Sequence, residues 1–270
     1  MTNSLVRFWN KFEPSAPYIH PDDRTALSPS SKDKYFHDGS KNFNHFVMSS
    51  RFGDFSESRF DLSLLPQPYA GDLKRAEIVI LLLNPGFGFT DYYGEDRMAG
   101  FTQRLEENLR QSFHSQEYPF LWLDPGLCWH GGFVWWEKKL RPVLTEIAKK
   151  YFKENYRLAM HDLAKRLACI ELFPYHSPRF GAHSIETLLP SVKAAQTYVK
   201  DVLQSEAIAG KKLVIITRRI KSWEGLKKCE NIVTYNAGQA RGASLGPQSD
   251  GWKNILKWYE SHRPSRQPLK

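Results

Sequence analysis

The sequence predicts an α/β fold, a three-layer α/β/α sandwich around a mainly parallel sheet of four strands. The chain contains four short runs that are almost continuously apolar. Half-exposed strands alternate polar and apolar residues, whereas continuous apolar runs are typical of strands buried on both faces. Segments with helical spacing separate these runs, and such alternation favours parallel strands joined by right-handed crossovers. The predicted strands cover residues 78–83, 168–173, 212–217 and 231–235.

Apolar residues that recur every three or four positions predict the helices between these strands. Residues 91–100 are polar, without such spacing, and predict a loop. The predicted helices cover residues 43–51, 101–113, 133–152, 158–167, 185–209 with an interruption near Pro190, and 252–261.

The chain divides by composition into three parts. Residues 1–72 are rich in Pro, Ser, Asp and His and show no long periodicity, which predicts an irregular capping segment. Residues 73–262 hold the predicted α/β domain. Residues 263–270 form a basic tail that contains proline.

The charge favours a polyanionic partner, and we expect DNA. The chain has 38 Lys and Arg against 29 Asp and Glu, a net charge of +9. Such an excess suits phosphate contacts, although many basic enzymes do not bind nucleic acid. No secretory segment or membrane-length apolar stretch is present in the sequence. We therefore expect a cytoplasmic monomer without a membrane partner.

The cysteines and glycines give no sign of a metal or cofactor site. Cys128, Cys169 and Cys229 are far apart, and no pair has the spacing of a zinc ribbon. No glycine loop of the Walker type occurs. We therefore expect neither metal nor cofactor.

The first predicted strand ends abruptly in Asn84-Pro85-Gly86. Pro85 and Gly86 prevent the strand from continuing, so Asn84 lies where the chain leaves the sheet. In open α/β sheets, ligands bind outside the carboxyl ends of the strands. The motif is therefore a candidate catalytic position, although a strand that ends in a tight turn accounts for it as well.

The other three strands bring more polar residues to the same predicted edge. The segments that follow them are residues 171–179, 217–221 and 236–244. They supply a carboxylate, a His-Ser-Pro-Arg turn, a basic cluster, a second amide and a glycine-rich loop with an arginine. His176 in the turn is a possible acid or base, but a single histidine is more often structural.

These motifs together resemble the uracil-DNA glycosylase superfamily over residues 76–260, in order and character rather than in close identity. The mismatch-specific branch of that family carries Asn-Pro-Gly at the end of its first strand, as Asn84 to Gly86 do here. Leu82 replaces a family glycine. Residues 120–125 stand in place of the base-stacking aromatic, and Glu171 in place of the base-reading Asn.

The last family motif follows the fourth strand, and the chain departs from it. Asn236 fits the first position of the motif, but the Pro-Ser that follows in the family is absent. Ala240 stands where a bulky apolar wedge is usual. These departures affect the expected step in which the protein penetrates the duplex more than the expected chemistry of bond cleavage.

The resemblance implies a monofunctional DNA glycosylase that hydrolyses the N-glycosidic bond of a flipped, modified or damaged base. Asn84 would hold the attacking water, and Asn236 would donate to the base carbonyl as charge develops. The implied base-binding residues are Pro85, Gly86, Phe120, Trp122 and Glu171, and the implied DNA-binding residues are Arg179, Arg218, Arg219, Lys221, Gln239 and Arg241.

Each of these candidates also has a structural interpretation. Asn84 and Asn236 are of a residue type that often bonds to its own turn, and Phe120 and Trp122 are typical of an aromatic core. A run of basic residues is typical of a solvated surface.

Glu171 bears on the choice of base. An ionised Glu only accepts hydrogen bonds, so it would repel O4 of uracil and accept from the exocyclic amine of cytosine. On this premise the base carries an amine, as a modified cytosine or adenine does. If Glu171 pairs with an arginine, the inference does not hold.

Three other functions remain open on the sequence. An adenine methyltransferase has a strand that ends in Asn-Pro-Pro-aromatic, one residue from Asn84-Pro85-Gly86-Phe87, but no glycine-rich cofactor loop follows an earlier strand here. A non-catalytic nucleic-acid-binding protein on the same fold would bind DNA without releasing a base. A nucleoside hydrolase would act without affinity for DNA.

Overall fold

The chain folds into an α/β structure with a mixed sheet. The computed structural model describes residues 3–114, 116–223 and 225–262. Within these residues, five strands form the main sheet and two form a small parallel pair. The pair consists of β1 (Phe36–His37) and β2 (Phe60–Asp61). The main sheet consists of β3 (Tyr69–Ala70), β4 (Ile78–Leu82), β5 (Leu167–Glu171), β6 (Leu213–Ile216) and β7 (Ile232–Thr234).

The four strands expected from the apolar runs are confirmed, and they are parallel. The sheet order is β3-β5-β4-β6-β7, with β4 paired to β5 on one side and β6 on the other. Every residue of β4, β5 and β6 is buried. Because side chains alternate between the two faces of a strand, both faces of the sheet are covered at its centre.

A fifth strand, β3, was not predicted. It pairs antiparallel to β5, with Tyr69 opposite Ile170. Two residues are too few for an alternating pattern to be visible in the sequence, so only the pairing identifies it. The strand lies within residues 1–72, so the segment predicted to be irregular contributes one edge of the main sheet.

The predicted helices are confirmed, with small shifts at their ends. The segment at 185–209 divides into α7, a π-helical stretch at Val199–Leu203 and α8. The helices are α1 (Ser4–Trp9), α2 (Phe43–Val47), α3 (Phe89–Arg97), α4 (Phe101–Leu109), α5 (Gly131–Tyr151), α6 (Tyr156–Arg166), α7 (Pro190–Tyr198), α8 (Gln204–Ile208), α9 (Ala237–Gly242) and α10 (Asp250–Ser261).

The prediction of a loop at 91–100 is wrong, because α3 occupies most of it. The helix begins where the Asp91 carboxylate accepts a hydrogen bond of 2.6 Å from the Gly88 N–H. Only Asp91, Tyr92 and Gly94 of this helix are buried. A helix with so narrow an apolar face gives no periodic signal, and its start is set by the cap.

The N-terminal segment is part of the same core as the sheet. Leu5, Trp9 and Phe12 are fully buried in the main apolar cluster, and α1 packs on α7. Buried Asp61 accepts hydrogen bonds from Arg51, Ser63 and Tyr92 at 2.6–3.0 Å. This buried network ties the segment to α3. The basic tail at 263–270 lies outside the described residues.

Of the helices in the described part of the chain, none has the length and apolar character needed to cross a membrane.

Candidate functional site

A cavity of about 530 Å³ opens at the carboxyl ends of the central strands. From β4 the chain crosses to β5 on one side, and later to β6 on the other, so the sheet order reverses beside β4. Ligand sites in open α/β sheets occupy such a switch point. The polar residues that line the cavity are Gln67, Asn84, Asp91, His130, Glu171, Ser177, Arg179 and Arg218, and its aromatic residues are Tyr69, Phe87, Trp122, Trp135, Trp136 and Phe180.

Asn84 lies in the cavity wall, as the sequence predicts, directly after β4. Its side-chain Nδ2 donates a hydrogen bond of 3.0 Å to Ser177 Oγ. This bond uses one of the two N–H groups of the amide and leaves the carbonyl oxygen Oδ1 for a ligand or water. Pro85 and Gly86 line the same cavity. Gly86 has a φ of 76°, which an L side chain adopts only with strain, and a Cβ there would face open space.

A buried turn after β5 holds this motif in place. His176 is buried, and its ring nitrogens lie 3.0 Å from the carbonyl oxygens of Gly86 and Leu65. A neutral imidazole has one N–H and so donates to one of these two carbonyl oxygens, and the backbone contacts on both sides of the ring make His176 a positioning residue. Ser177 follows it and is fully buried. The turn thus fixes the orientation of the Asn84 amide.

Glu171 is the last residue of β5 and lines the cavity. It is 6% exposed, and its Oε2 atom has no hydrogen-bond partner. Burial raises the pKa of Glu171 to about 8, and Arg218 moves that pKa in the opposite direction. Burial therefore favours the carboxyl that retains its proton, whereas the expectation of an amine-bearing base takes an ionised Glu171 as its premise.

The structure separates the two aromatic candidates. Trp122 lines the cavity and is stacked on His130, with ring centroids 4.9 Å apart. Phe120 is not in the cavity wall. It is fully buried and packs edge-to-face against Trp136. The expectation that Phe120 binds the base is therefore corrected to a core role, because its side chain is fully buried and does not line the cavity.

Two ionisable residues in the cavity wall were not singled out from the sequence. His130 is 1% exposed, and its Nδ1 atom accepts a hydrogen bond of 2.9 Å from the Gly132 N–H. Burial lowers the pKa of His130, so the neutral ring carries its proton on Nε2. That atom lies 3.5 Å from the Asp91 carboxylate and makes no hydrogen bond.

A local signal for His130 does exist in the sequence. His130-Gly131-Gly132 immediately precedes α5, and a Cβ on Gly132 would come within 2.7 Å of the Trp122 ring. The glycine is therefore required for Trp122 to pack against the start of the helix, and the histidine caps that helix. Asp91 was missed because it lies in the segment predicted to be a loop.

The basic candidates also separate. Arg218 and Arg179 line the cavity, and the Arg218 Nε atom is buried without a hydrogen-bond partner. Arg219 forms an ion pair with Glu186, and its Nε atom donates to Ser222 Oγ. Lys221 lies at a second, smaller cavity beside Glu186. Arg219 and Lys221 are therefore not part of the main site.

The candidates after β7 do not reach the cavity. Asn236 accepts a hydrogen bond of 3.0 Å from the Gln239 N–H and caps α9, a short helix in place of the expected loop. Its amide oxygen is occupied by that cap, which agrees with its structural interpretation rather than the catalytic one. Gln239 and Arg241 lie on the same helix and are absent from the cavity wall.

In the described ranges no group of three or more His, Cys, Asp or Glu side chains is arranged to hold a metal ion. The site instead offers hydrogen bonds, ring faces and an arginine. Comparison with protein-family models, with curated proteins and with solved structures found no match to this chain.

Proposed function

We propose that the chain is a DNA base glycosylase, built as a three-layer sandwich of the uracil-DNA glycosylase type, that hydrolyses the N-glycosidic bond of a flipped base. One observation carries the proposal. A single cavity at the switch point of the sheet combines the fixed amide of Asn84, the ring of Trp122 and the unpartnered carboxyl of Glu171. Glycosidic cleavage needs each of these, to hold water, to hold the base and to bind its edge.

The cavity suits a planar ring taken out of a base stack. Its wall contains Trp122, Trp135 and Phe87, which are rings on which a base can stack. Stacking on an aromatic side chain contributes about 1–3 kcal/mol per base and does not depend on sequence. A base inside a duplex cannot reach such an enclosed space, so the proposal requires base flipping.

Asn84 orients the attacking water. Ser177 holds the Nδ2 side of the amide, so the Oδ1 side accepts a hydrogen bond from water near the anomeric carbon. An amide oxygen is a weak base and removes no proton. Catalysis then depends on stabilising charge as the bond breaks, both on the sugar and on the departing base. We expect a slow enzyme compared with one that uses a carboxylate at this position.

Arg179 and Arg218 supply the positive charge beside the cavity. Arg179 is exposed and lies in the turn after β5, while Arg218 follows β6. Arginine binds phosphate through a planar fork of donors, so these two residues are placed to hold the backbone of the nucleotide whose base is flipped. The net charge of +9 supports the same partner.

The test is release of free base, measured by mass spectrometry, from oligonucleotides containing uracil, hypoxanthine, cytosine or modified cytosines. Wild type is compared with Asn84→Ala and with Asn254→Ala, a control in α10 whose amide Nδ2 bonds to the Asp250 carbonyl oxygen. We expect wild type and the control to release base and Asn84→Ala to release almost none.

The other outcomes select the alternatives. Salt-dependent DNA binding without release of any base would favour a non-catalytic binding protein. Cleavage of free nucleosides without affinity for DNA would favour a nucleoside hydrolase. Equal activity of wild type and Asn84→Ala would contradict the role of Asn84.

A further inference from the structure

Three buried polar atoms in the cavity wall have no hydrogen-bond partner. They are Glu171 Oε2, His130 Nε2 and Arg218 Nε, and they come from three different segments of the chain. Buried polar groups are almost always paired, because an unpaired one costs the free energy of its lost hydration. Ten such atoms occur among the described residues, and these three stand out because they share the wall of one cavity, where a ligand can reach all three segments.

Two of these atoms are hydrogen-bond donors in any state the site supports. The Arg218 guanidinium is always protonated, so its Nε carries a hydrogen. His130 Nδ1 accepts from the Gly132 N–H, so the hydrogen of the neutral ring is on Nε2. A ligand that pairs with both atoms must bring acceptors. The third atom belongs to a carboxyl group, which donates only when it is neutral.

The surroundings of Glu171 favour the neutral acid. Its Oε2 atom has no hydrogen-bond partner, although Arg218 acts on the carboxyl electrostatically. Cys169 faces it from the same strand and is itself buried. The remaining titratable groups in the cavity wall are Tyr69, Asp91, His130 and Arg179. The loss of hydration therefore outweighs the attraction of Arg218 and favours the protonated carboxyl of Glu171.

We propose, on the basis of the glycosylase function above, that Glu171 acts as a neutral carboxylic acid whose O–H donates to a carbonyl oxygen of the flipped base. With His130 Nε2 and with Arg218 Nε, whose terminal guanidinium nitrogens remain for the phosphate, it forms a wall of donors, so the substrate class is a base with carbonyl oxygens at the edge it presents. The ionised form of Glu171 repels that oxygen and excludes such a base. The choice of base thus depends on one proton.

The same donor assists bond cleavage. When the glycosidic bond breaks, its electron pair remains on the base, and negative charge collects on the carbonyl oxygens. An O–H that already donates to one of these oxygens stabilises the charge as it develops. An amine at that edge pairs with the carbonyl oxygen of the acid but gains no charge in the same way. Carbonyl-bearing bases are therefore better leaving groups in this cavity.

The experiment follows base release from single-stranded oligonucleotides between pH 6 and 10. One set carries uracil or hypoxanthine, and the other carries cytosine or 5-methylcytosine. Wild type is compared with Glu171→Gln, which donates and accepts but never ionises, and with Glu230→Gln, an exposed control before β7. Thermal unfolding of each variant, followed by circular dichroism, establishes that it is folded.

We expect wild type and Glu230→Gln to release uracil below pH 8 and to lose about tenfold in rate for each pH unit above it. Glu171→Gln should release uracil with no such loss. Release of cytosine in preference to uracil, rising above pH 8, would overturn the proposal and support an ionised Glu171. Identical pH profiles for wild type and Glu171→Gln would also overturn it.

Binding of free uracil and free cytosine, measured by calorimetry at pH 6.5 and 9.5, separates this proposal from the glycosylase function. If no DNA yields a base but uracil binds wild type only at the lower pH, and Glu171→Gln at both, the donor role of Glu171 holds and the glycosylase function fails. If neither base binds wild type and no base is released, both fail. If only amine-bearing bases are released, the glycosylase function holds and the donor role of Glu171 fails.

Discussion

Two regions at the same edge of the sheet have opposite character. The segments after β4, β5 and β6 converge on one cavity and leave Glu171, His130 and Arg218 with unpartnered polar atoms. The segment after β7 forms α9 instead of reaching the cavity, and the Asn236 side chain is used to cap that helix, although Gln239 Oε1 is buried there without a partner. Of the ten buried polar atoms without a partner among the described residues, three share the wall of this cavity, and the other seven are spread over the rest of the chain.

The difference follows from the order of the strands. Neighbouring strands lie about 4.8 Å apart, so residues after β5 and β6 are one strand away from Asn84. The strand β7 is two positions from β4, about 10 Å away, at the edge of the sheet. Parallel direction alone brings residues to one edge of a sheet, and only the lateral order decides which of them meet.

The largest expected effect is on the pH dependence of the free energy of unfolding, when Glu171 in the cavity wall is compared with Glu230, which precedes β7. The pKa of Glu171 rises from 4.5 to about 8 on folding, so its neutral form is the one the fold stabilises. Glu171 does not reduce the free energy of unfolding below pH 4.5, where it is protonated in both the folded and the unfolded chain. As pH rises toward 8, that free energy falls by about 5 kcal/mol at most, because only the unfolded chain can ionise the carboxyl. Glu171→Gln should remove this loss, while Glu230→Gln should not.

Urea unfolding at a series of pH values between 4 and 9 measures that difference. The exposed carboxyl of Glu230 has a pKa lowered by its hydrogen bond to Lys257, so it is already ionised where Glu171 titrates. Parallel pH curves for wild type and Glu171→Gln would show that the Glu171 carboxyl is not desolvated, which would remove the basis for its neutral state.

A second contrast is between the core and the cavity wall. Phe120 is fully buried, and its truncation to Ala should cost about 3–5 kcal/mol of unfolding free energy through the cavity it leaves. Trp135 is 38% exposed and lines the site, so Trp135→Ala should cost less stability and weaken binding of single-stranded DNA by about 1–3 kcal/mol. Urea unfolding and fluorescence anisotropy measure the two quantities. If Trp135→Ala bound DNA as tightly as wild type, Trp135 would not be part of the DNA-binding site.

The fold could largely be predicted from the sequence where the pattern is repetitive. The runs that became β4 and β6 are apolar at every position, the run of β5 is interrupted only by Glu171, and α5 repeats its apolar residues over 21 residues. Short or polar elements gave no such signal. The strand β3 has two residues, and α3 has a narrow buried face. Pairing partners and caps define these elements, and both depend on the tertiary structure.

The site could be predicted in part for the same reason. Asn84 and Glu171 were found because each ends a recognisable strand. His130 and Asp91 were missed because they start helices, and their meeting depends on how those helices pack. The protonation of Glu171 could not be inferred at all, since it depends on burial and on the distance to charges rather than on residue type.

The third prediction compares the two asparagines that the sequence could not distinguish. Asn84→Ala removes the group that orients water and should lower the rate of base release by about 10²–10³-fold. Asn236→Ala removes a helix cap and should cost about 1 kcal/mol of stability, with the rate of base release close to that of wild type. Single-turnover kinetics and urea unfolding measure both variants. A larger loss of rate for Asn236→Ala than for Asn84→Ala would place the chemistry at α9.

The smallest effect is expected from two adjacent arginines. Arg218 faces the cavity with an unpartnered Nε, whereas Arg219 is neutralised by its ion pair with Glu186. If Arg218 holds a phosphate, Arg218→Ala should weaken DNA binding and reduce the slope of log affinity against log salt by about 1. Arg219→Ala should leave that slope nearly unchanged.

Arg218 has a second effect that distinguishes it from a simple phosphate contact. Its charge lowers the pKa of Glu171 against the effect of burial, so its removal should raise that pKa further. The loss of uracil release should then begin at higher pH in Arg218→Ala than in wild type, although the maximal rate is lower. The variant Arg219→Ala should keep the wild-type profile. An equal shift in both variants would mean that the general positive field at this edge, rather than Arg218 itself, controls the proton on Glu171.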